Sequence, residues 1–293
     1  MNAMKIGIGL PTSLAGAAGA DVVAWARLAE QAGYSTLGTI DRLVHTSWEP
    51  LTTLAAAAAV TERIGLATSI LISPLRANTA LLAKQAATVD RLSGGRLTLG
   101  MAVGSRPDDF EVGQVEKAGR GARTGTQVAE LRRHWADAQS GREPSVGPAP
   151  IRPNGPELIL GGHSPAALAR AARLGDGWIG GGTGPIMFAQ GAQALREQWA
   201  AEGREGAPRL VALAYFALGA DGTKYTEGYL RSYYRDAGPF VEHILRGAAD
   251  NPGKLRGLVG KYAEAGCDEL LLMPCAGDLG QVEAAAQVLG LQG

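Results

Sequence analysis

Cysteine, aromatic side chains, histidine and net charge are all scarce in this chain, and each scarcity removes a class of protein. Only two cysteines occur, Cys267 and Cys275. They match neither a zinc nor a redox spacing, so they read as inert packing thiols. The four histidines, His45, His134, His163 and His243, form no paired ligand motif, which leaves a metal-dependent hydrolase without support. Lys plus Arg equals Asp plus Glu at 28 each, so no global field favours nucleic acid or an anionic membrane surface. No apolar run, the alanine-rich Leu54 to Val60 included, approaches the ~20 residues that span a bilayer. No basic segment followed by an apolar core and a small-residue cleavage site opens the sequence, and the expectation is a cytoplasmic protein. P-loop, zinc-protease and nucleophile-elbow patterns are also missing. Gly175, Gly177 and Gly180 imitate a dinucleotide fingerprint but precede a strand instead of following one.

What the chain does have is alternation. Eight short apolar runs are separated by helical patterns: Lys5 to Leu10, Thr36 to Ile40, Leu66 to Ile72, Leu97 to Val103, Glu157 to Gly161, Gly177 to Gly180, Leu210 to Leu218 and Glu269 to Met273. Runs that are apolar throughout belong to strands buried on both faces, and eight βα units predict an α/β fold, a (β/α)8 TIM barrel formed by residues 1–293 as one domain. Such barrels carry their chemistry on the rim at the C-terminal ends of the strands.

Helix punctuation places the loops. Asp21 is the expected cap of a first helix that turns Val22, Val23, Ala26 and Ala29 inward and stops at Gly33. Pro50 opens a second helix with a face of Leu51, Leu54, Ala55 and Ala58, ending by Gly65, and Asn78 caps a third. Two connections are long: Gly104 to Pro156, with a helix expected from about Thr124 to Gln139, and Asp221 to Leu255, a helical cap before the eighth strand. Tyr225, Tyr229, Tyr233 and Tyr234 cluster in the second. They form either a wall for a planar apolar substrate or a satellite core beneath a loop.

One turn carries an anion signature. Strand Leu158 to Gly161 runs into Gly162, His163 and Ser164, and Pro165 then opens a helix that stops at Gly175. The glycines let a ligand approach the backbone, Ser164 is a natural cap, and free N–H groups at a helix start attract phosphate. An ordinary capped βα turn is the other reading. The cluster Gly180 to Gly182 follows the next strand and should lie beside it.

Several segments together resemble the bacterial luciferase-like monooxygenases, a family of flavin- or deazaflavin-dependent oxidoreductases. They are Asp41-Arg42, Trp48-Glu49-Pro50-Leu51, Thr61-Glu62-Arg63-Ile64, Ala83 to Asp90, Leu92-Ser93-Gly94-Gly95-Arg96, Gly104-Ser105-Arg106-Pro107-Asp108-Asp109-Phe110, Gly161 to Pro165, Gly175-Asp176-Gly177-Trp178 and Glu264 to Glu269. The resemblance spans essentially the whole chain, and the order of the segments is more specific than any one of them.

It implies a barrel that holds reduced FMN, or alternatively F420, across the C-terminal rim. A non-proline cis peptide at Ser69–Ile70 would form a bulge behind the tricyclic ring. The phosphate would meet Val103, Gly104, Ser105, an arginine from Arg120 to Arg123 with Arg120 first, and the turn Gly161, Gly162, His163 and Ser164 with Gly181 beside it. A guanidinium suits that role because it offers a bidentate fork.

The departure from the family pattern follows the second strand. Many members have a histidine there, and this chain has Arg42 after Asp41. Arginine cannot shuttle protons near neutrality. It could stabilise an anionic reduced flavin, a peroxide intermediate or a substrate carboxylate, or it could simply pair with Asp41. His45 is the candidate to recover acid/base work, since an imidazole titrates near neutrality; a loop histidine without a role is the alternative. The expected function is an FMN-dependent monooxygenase acting with O2 on a small organic substrate, supplied by a separate flavin reductase. An F420-dependent reductase or dehydrogenase and a non-catalytic flavin-binding protein are the alternatives. A homodimer is expected from the resemblance.

Overall fold

A computed structural model describes residues 3–293. Its eight parallel strands close on themselves in sequence order, β1 to β8, with β8 pairing back to β1. The strands are β1 (Lys5–Gly9), β2 (Thr36–Thr39), β3 (Gly65–Ile72), β4 (Leu97–Ala102), β5 (Glu157–Gly161), β6 (Gly177–Gly181), β7 (Arg209–Phe216) and β8 (Glu269–Pro274). Between them run α1 (Gly19–Gln31), α2 (Pro50–Ala58), α3 (Thr79–Leu92), α4 (Pro107–Val112), α5 (Arg120–Gln139), α6 (Pro165–Leu174), α7 (Gly184–Ala201), α8 (Gly222–Tyr233), α9 (Phe240–Gly247) and α10 (Pro252–Glu264), and α11 (Gly280–Leu289) follows β8. The molecule is a (β/α)8 TIM barrel. No helix of the described residues is long and apolar enough to cross a membrane.

The strands are buried almost end to end, as their unbroken apolar sequences require, and outward-facing side chains meet Trp25, Leu54, Leu82, Leu131, Phe188 and Tyr262 on the surrounding helices. Inside, Ile159, Ile179, Val211 and Leu271 form a layer against which Ile70 packs. The barrel is therefore filled, and ligands are confined to its ends.

Local signals held where a side chain had a specific partner. Asn78 and Ser164 accept hydrogen bonds from Leu81 N (3.0 Å) and Ala167 N (3.2 Å), capping α3 and α6. Pro50 is the first residue of α2, and the Glu49 carboxylate accepts from Thr52 N. Asp21 is a correction: α1 begins two residues earlier, after Ala18, and Asp21 lies in its first turn, where a carboxylate complements the helix dipole without capping it. The second helix also stops at Ala58, well before Gly65.

The connection after β4 differs more. A short helix, α4, was not expected, and α5 starts at Arg120 instead of Thr124. Buried hydrogen bonds fix this placement. Thr124 Oγ1 meets Ser73 Oγ at 2.9 Å, and Gln127 Nε2 donates to the carbonyls of Ser73 and Arg76 at 3.1 and 2.8 Å. Together they dock the first turns of α5 on the turn after β3. At the other long connection, α8 and α9 cover the ends of β7 and β8 through Leu230, Tyr233 and Ile244, packed on Leu213, Tyr215 and Met273.

Candidate active site

A cleft of about 430 Å³ opens at the C-terminal rim. Its lining includes Ser69, Ile70, Val103, Gly104, Ser105, Arg120, Gly161, Gly162, His163, Ser164 and Gly181, so the residues expected around the cofactor share one space. Arg42 lines it as well; His45 does not. The Ser69–Ile70 peptide is cis, and the pairing of β3 with β4 shifts register between Thr68 and Leu71, which makes the bulge at the cleft floor.

The wall formed by β4, β5 and β6 is shaped by glycine and stitched by indole and imidazole. Gly104 has φ +69°, and a Cβ there would stand 2.6 Å from Ile72 Cγ2; Gly162 has φ +124°, with Ala167 Cβ 2.7 Å from the same imaginary atom. Neither backbone path is open to an ordinary side chain. Trp178 Nε1 donates to the Gly162 carbonyl at 2.8 Å, and His163 Nε2 lies 3.2 Å from the Gly181 carbonyl. The loops after β5 and β6 are thus joined side by side. With Nε2 facing a carbonyl, the imidazole donates there, and burial depresses its proton affinity. His163 acts as a neutral brace.

Arg120 enters from the start of α5. Its guanidinium donates to the carbonyls of Gly104 and Lys117, each at 3.2 Å, and has no carboxylate partner among the described residues. Two carbonyls orient the group and leave its charge uncompensated, as a phosphate ligand requires. Arg123, the other arginine of that segment, instead clamps the loop by donating to the carbonyls of Glu116 and Ala118. Ser105 and Ser164 add hydroxyls, and α6 starts directly after Ser164.

Arg42 has a structural commitment that differs from the pairing with Asp41. Its Nε donates to Asp109 Oδ2 at 2.6 Å and its Nη2 to Asp108 Oδ2 at 2.8 Å. Asp109, fully buried, also accepts from Leu43 N and Val44 N at 2.8 and 2.9 Å. Asp41 pairs with Arg76 (2.6 Å) and accepts from Ile72 N (2.8 Å). Burial pushes the Asp41 carboxyl up, and Arg76 and the Ile72 amide oppose that rise. Both carboxylates anchor the β2 and β3 loops to the rim.

His45 packs edge-on against Tyr233 with centroids 5.2 Å apart. Burial and the neighbouring cations Arg42, Arg106 and Arg235 hold its pKa below the ordinary value. It therefore stands outside the cleft as a neutral ring.

The tyrosines divide. Tyr233 and Tyr234 line the cleft with Tyr215 from β7, Tyr229 stacks behind Tyr233 and bonds Ser13 (2.8 Å), and Tyr225 is exposed. Only part of the expected wall faces the cleft. The hydroxyls of Tyr215 and Tyr234 lie 2.7 Å apart. Burial raises both phenols, so they stay protonated, and whichever oxygen accepts from the other keeps a proton for a third partner. Tyr215 was missed in the sequence because it sits inside an apolar strand. Arg106 was also missed as a site residue: its guanidinium carbon lies 4.9 and 5.0 Å from the ring centroids of Tyr233 and Tyr234.

Comparison with known proteins agrees with this geometry. The model of the luciferase-like monooxygenases matches residues 4–276. An uncharacterized protein of Mycobacterium tuberculosis is 32% identical over 197 residues, covering 62% of this chain and 68% of that protein. The F420-dependent glucose-6-phosphate dehydrogenase of Beutenbergia cavernae is 35% identical over 173 residues, 54% of this chain and 52% of the dehydrogenase. Among solved structures, monooxygenase RslO1 from Streptomyces bottropensis superposes with a TM-score of 0.79 at 21% identity, covering 98% of this chain and 97% of its own. That last likeness concerns the fold.

Proposed function

The chain belongs to the luciferase-like monooxygenase family, whose members are flavin- or F420-dependent oxidoreductases, and we propose that it uses F420 to oxidise or reduce a small organic molecule at the C-terminal rim. The observation that carries the redox reading is the convergence of an uncompensated Arg120, the β5–α6 turn and the bulge at Ser69–Ile70 on one cleft. These residues fit a phosphorylated tricyclic group: Arg120, Ser105, Ser164 and the start of α6 would hold its phosphate, and Ile70 would back the ring.

The preference for F420 over FMN rests on what lies beyond the phosphate cradle. A groove of about 780 Å³ between α5 and α6 is floored by small residues, Gly121, Gly125, Ala166 and Ala169, and flanked by two cations, Arg170 and Arg173, against one carboxylate, Glu202. Arg170 Nη1 reaches to 3.2 Å from where a Gly121 Cβ would stand. Neither arginine has a carboxylate partner among the described residues. FMN ends at its phosphate, whereas F420 continues into a chain of carboxylates that this groove complements. The relationship to a dehydrogenase named as F420-dependent supports the same choice.

When bound, the cofactor supplies the hydride chemistry. The chain's own work is to orient and to manage protons. Arg42 is engaged by Asp109 and Asp108, and His45 stands outside the cleft. The Tyr215–Tyr234 pair is the proton donor of this reading, offering a proton to a substrate oxygen from the wall formed by β7 and the end of α8. The helical cap above excludes water.

Titrating the purified protein with F420 and with FMN, by F420 fluorescence and by calorimetry, tests the proposal. F420 should bind at least about tenfold more tightly, and Arg170→Glu with Arg173→Glu should weaken F420 and leave FMN unchanged. Tight FMN binding without F420 binding would instead support an FMN monooxygenase fed by a separate reductase, with substrate-dependent oxygen uptake as its signature.

A further inference from the structure

We propose that Arg106 is the substrate-recognition residue of this cleft and that the substrate class is an organic carboxylate with a flat apolar body. The inference rests on the redox reading above for what happens to the bound molecule, and on independent observations for where its anionic end is held.

Each of the other arginines placed around the rim bonds or pairs with a protein group. Arg42 is held by Asp108 and Asp109, Arg76 by Asp41 and Glu49, Arg120 by two carbonyls, Arg123 by two more, and Arg235 lies beside Asp108 and Asp236. Arg106 lines the same cleft, and among the described residues it has neither an ion-pair partner nor a side-chain hydrogen bond. It is nevertheless positioned, because it lies against the faces of Tyr233 and Tyr234. Aromatic faces hold the guanidinium by cation–π attraction while leaving its N–H groups for another acceptor. A planar fork with open donors is matched by a carboxylate, which it binds bidentately.

The surroundings fit the remainder of such a molecule. Leu213, Ile40 and the ring of Tyr233 give the cleft an apolar side next to Arg106, and the Tyr215–Tyr234 hydroxyls give one polar point on the same wall. Arg106 is thus the cation of this wall that an anion can complete. Arg42 is another expected holder of a substrate carboxylate; its Nε and Nη2 are engaged by Asp109 and Asp108, and the proposal gives the role to Arg106.

The test is calorimetric binding of benzoate, phenylacetate and trans-cinnamate, each against its neutral amide, to the full chain with and without F420. The carboxylates should bind at least about tenfold more tightly than the amides in the wild type. Arg106→Gln should abolish that preference with amide and F420 affinities unchanged, and Arg106→Lys, which keeps the charge and loses the fork, should retain part of it. Circular dichroism and melting temperature confirm that each variant is folded. Equal binding of acids and amides, binding of no member of the series, or a preference that survives Arg106→Gln would overturn the proposal. So would a loss of F420 affinity in Arg106→Gln, which would place Arg106 on the cofactor. Failure of the wild type to bind either F420 or FMN, with the carboxylate preference intact, would remove the redox reading and leave this assignment standing.

Discussion

The two ends of the barrel treat charge in opposite ways. At the N-terminal end Arg209, the first residue of β7, is gripped by Glu157 from β5 and by Glu269 from β8. Glu269 also accepts from Ser35 and Thr36, and Glu157 from Thr98. Burial alone would make the Arg209 guanidinium easier to deprotonate, yet its two carboxylates hold it above the ordinary value. At the C-terminal rim Arg120 and Arg106 face a cleft without carboxylate partners. A buried charge network whose partners are all protein has nothing left to offer a ligand. The rim leaves two charges partly unanswered, and on the proposed function an anion completes them.

The comparison breaks first under substitutions that exchange these roles. Glu269→Ala should cost about 2 kcal/mol of stability, because it removes one of the two carboxylates on Arg209 and the acceptor of Ser35 and Thr36, while the surviving folded protein binds cofactor normally; urea denaturation and F420 titration would read the two effects. At the rim the opposite balance holds. Tyr234→Phe should lower kcat by about 100-fold, with the melting temperature little changed, if the phenol pair supplies the proton. Arg120→Gln should weaken F420 at least about tenfold and change stability by less than about 1 kcal/mol. Asp109→Asn stands between the two regimes: its remaining oxygen can still accept from the Leu43 and Val44 amides, but the acceptor of Arg42 Nε becomes an NH2 donor, and stability and substrate affinity should fall together.

The smallest expected effect concerns pH. His163 and His45 have pKa values below the ordinary 6.5, mainly through burial. The unfolded chain therefore binds more protons than the folded one around that pH. Their contribution to stability is complete above about pH 6.5 and is lost as the pH falls below it. Melting temperatures from pH 5 to 8 should decline on the acid side, and the decline should be shallower in His163→Asn.

How much of this was legible in the sequence follows from the range of the interactions. All eight strands were readable because a strand buried on both faces is apolar throughout, and α3 and α6 were readable because their caps sit within three residues of the amides they serve. The start of α5 was misplaced because long-range bonds from Thr124 and Gln127 to the turn after β3 fix it. The partners of Arg42 lie 66 and 67 residues away, so its ties to Asp108 and Asp109 left no local pattern. Tyr215 was hidden in an apolar strand, and Arg106 became visible only once α8 had folded its tyrosines over the rim. The glycine turn and Ser164 cap at Gly162 to Ser164 were readable from their own residues, and the expectation of Arg120 and Ser105 beside them came from family resemblance.

Binding of F420 and FMN set against their phosphate-free counterparts, the deazaflavin chromophore alone and riboflavin, in the wild type and Arg120→Gln, tests the central claim most directly. The account predicts that the wild type prefers at least one phosphorylated form by tenfold or more, and that Arg120→Gln removes most of that preference. Equal binding with and without the phosphate, or no binding of any of the four, would contradict it.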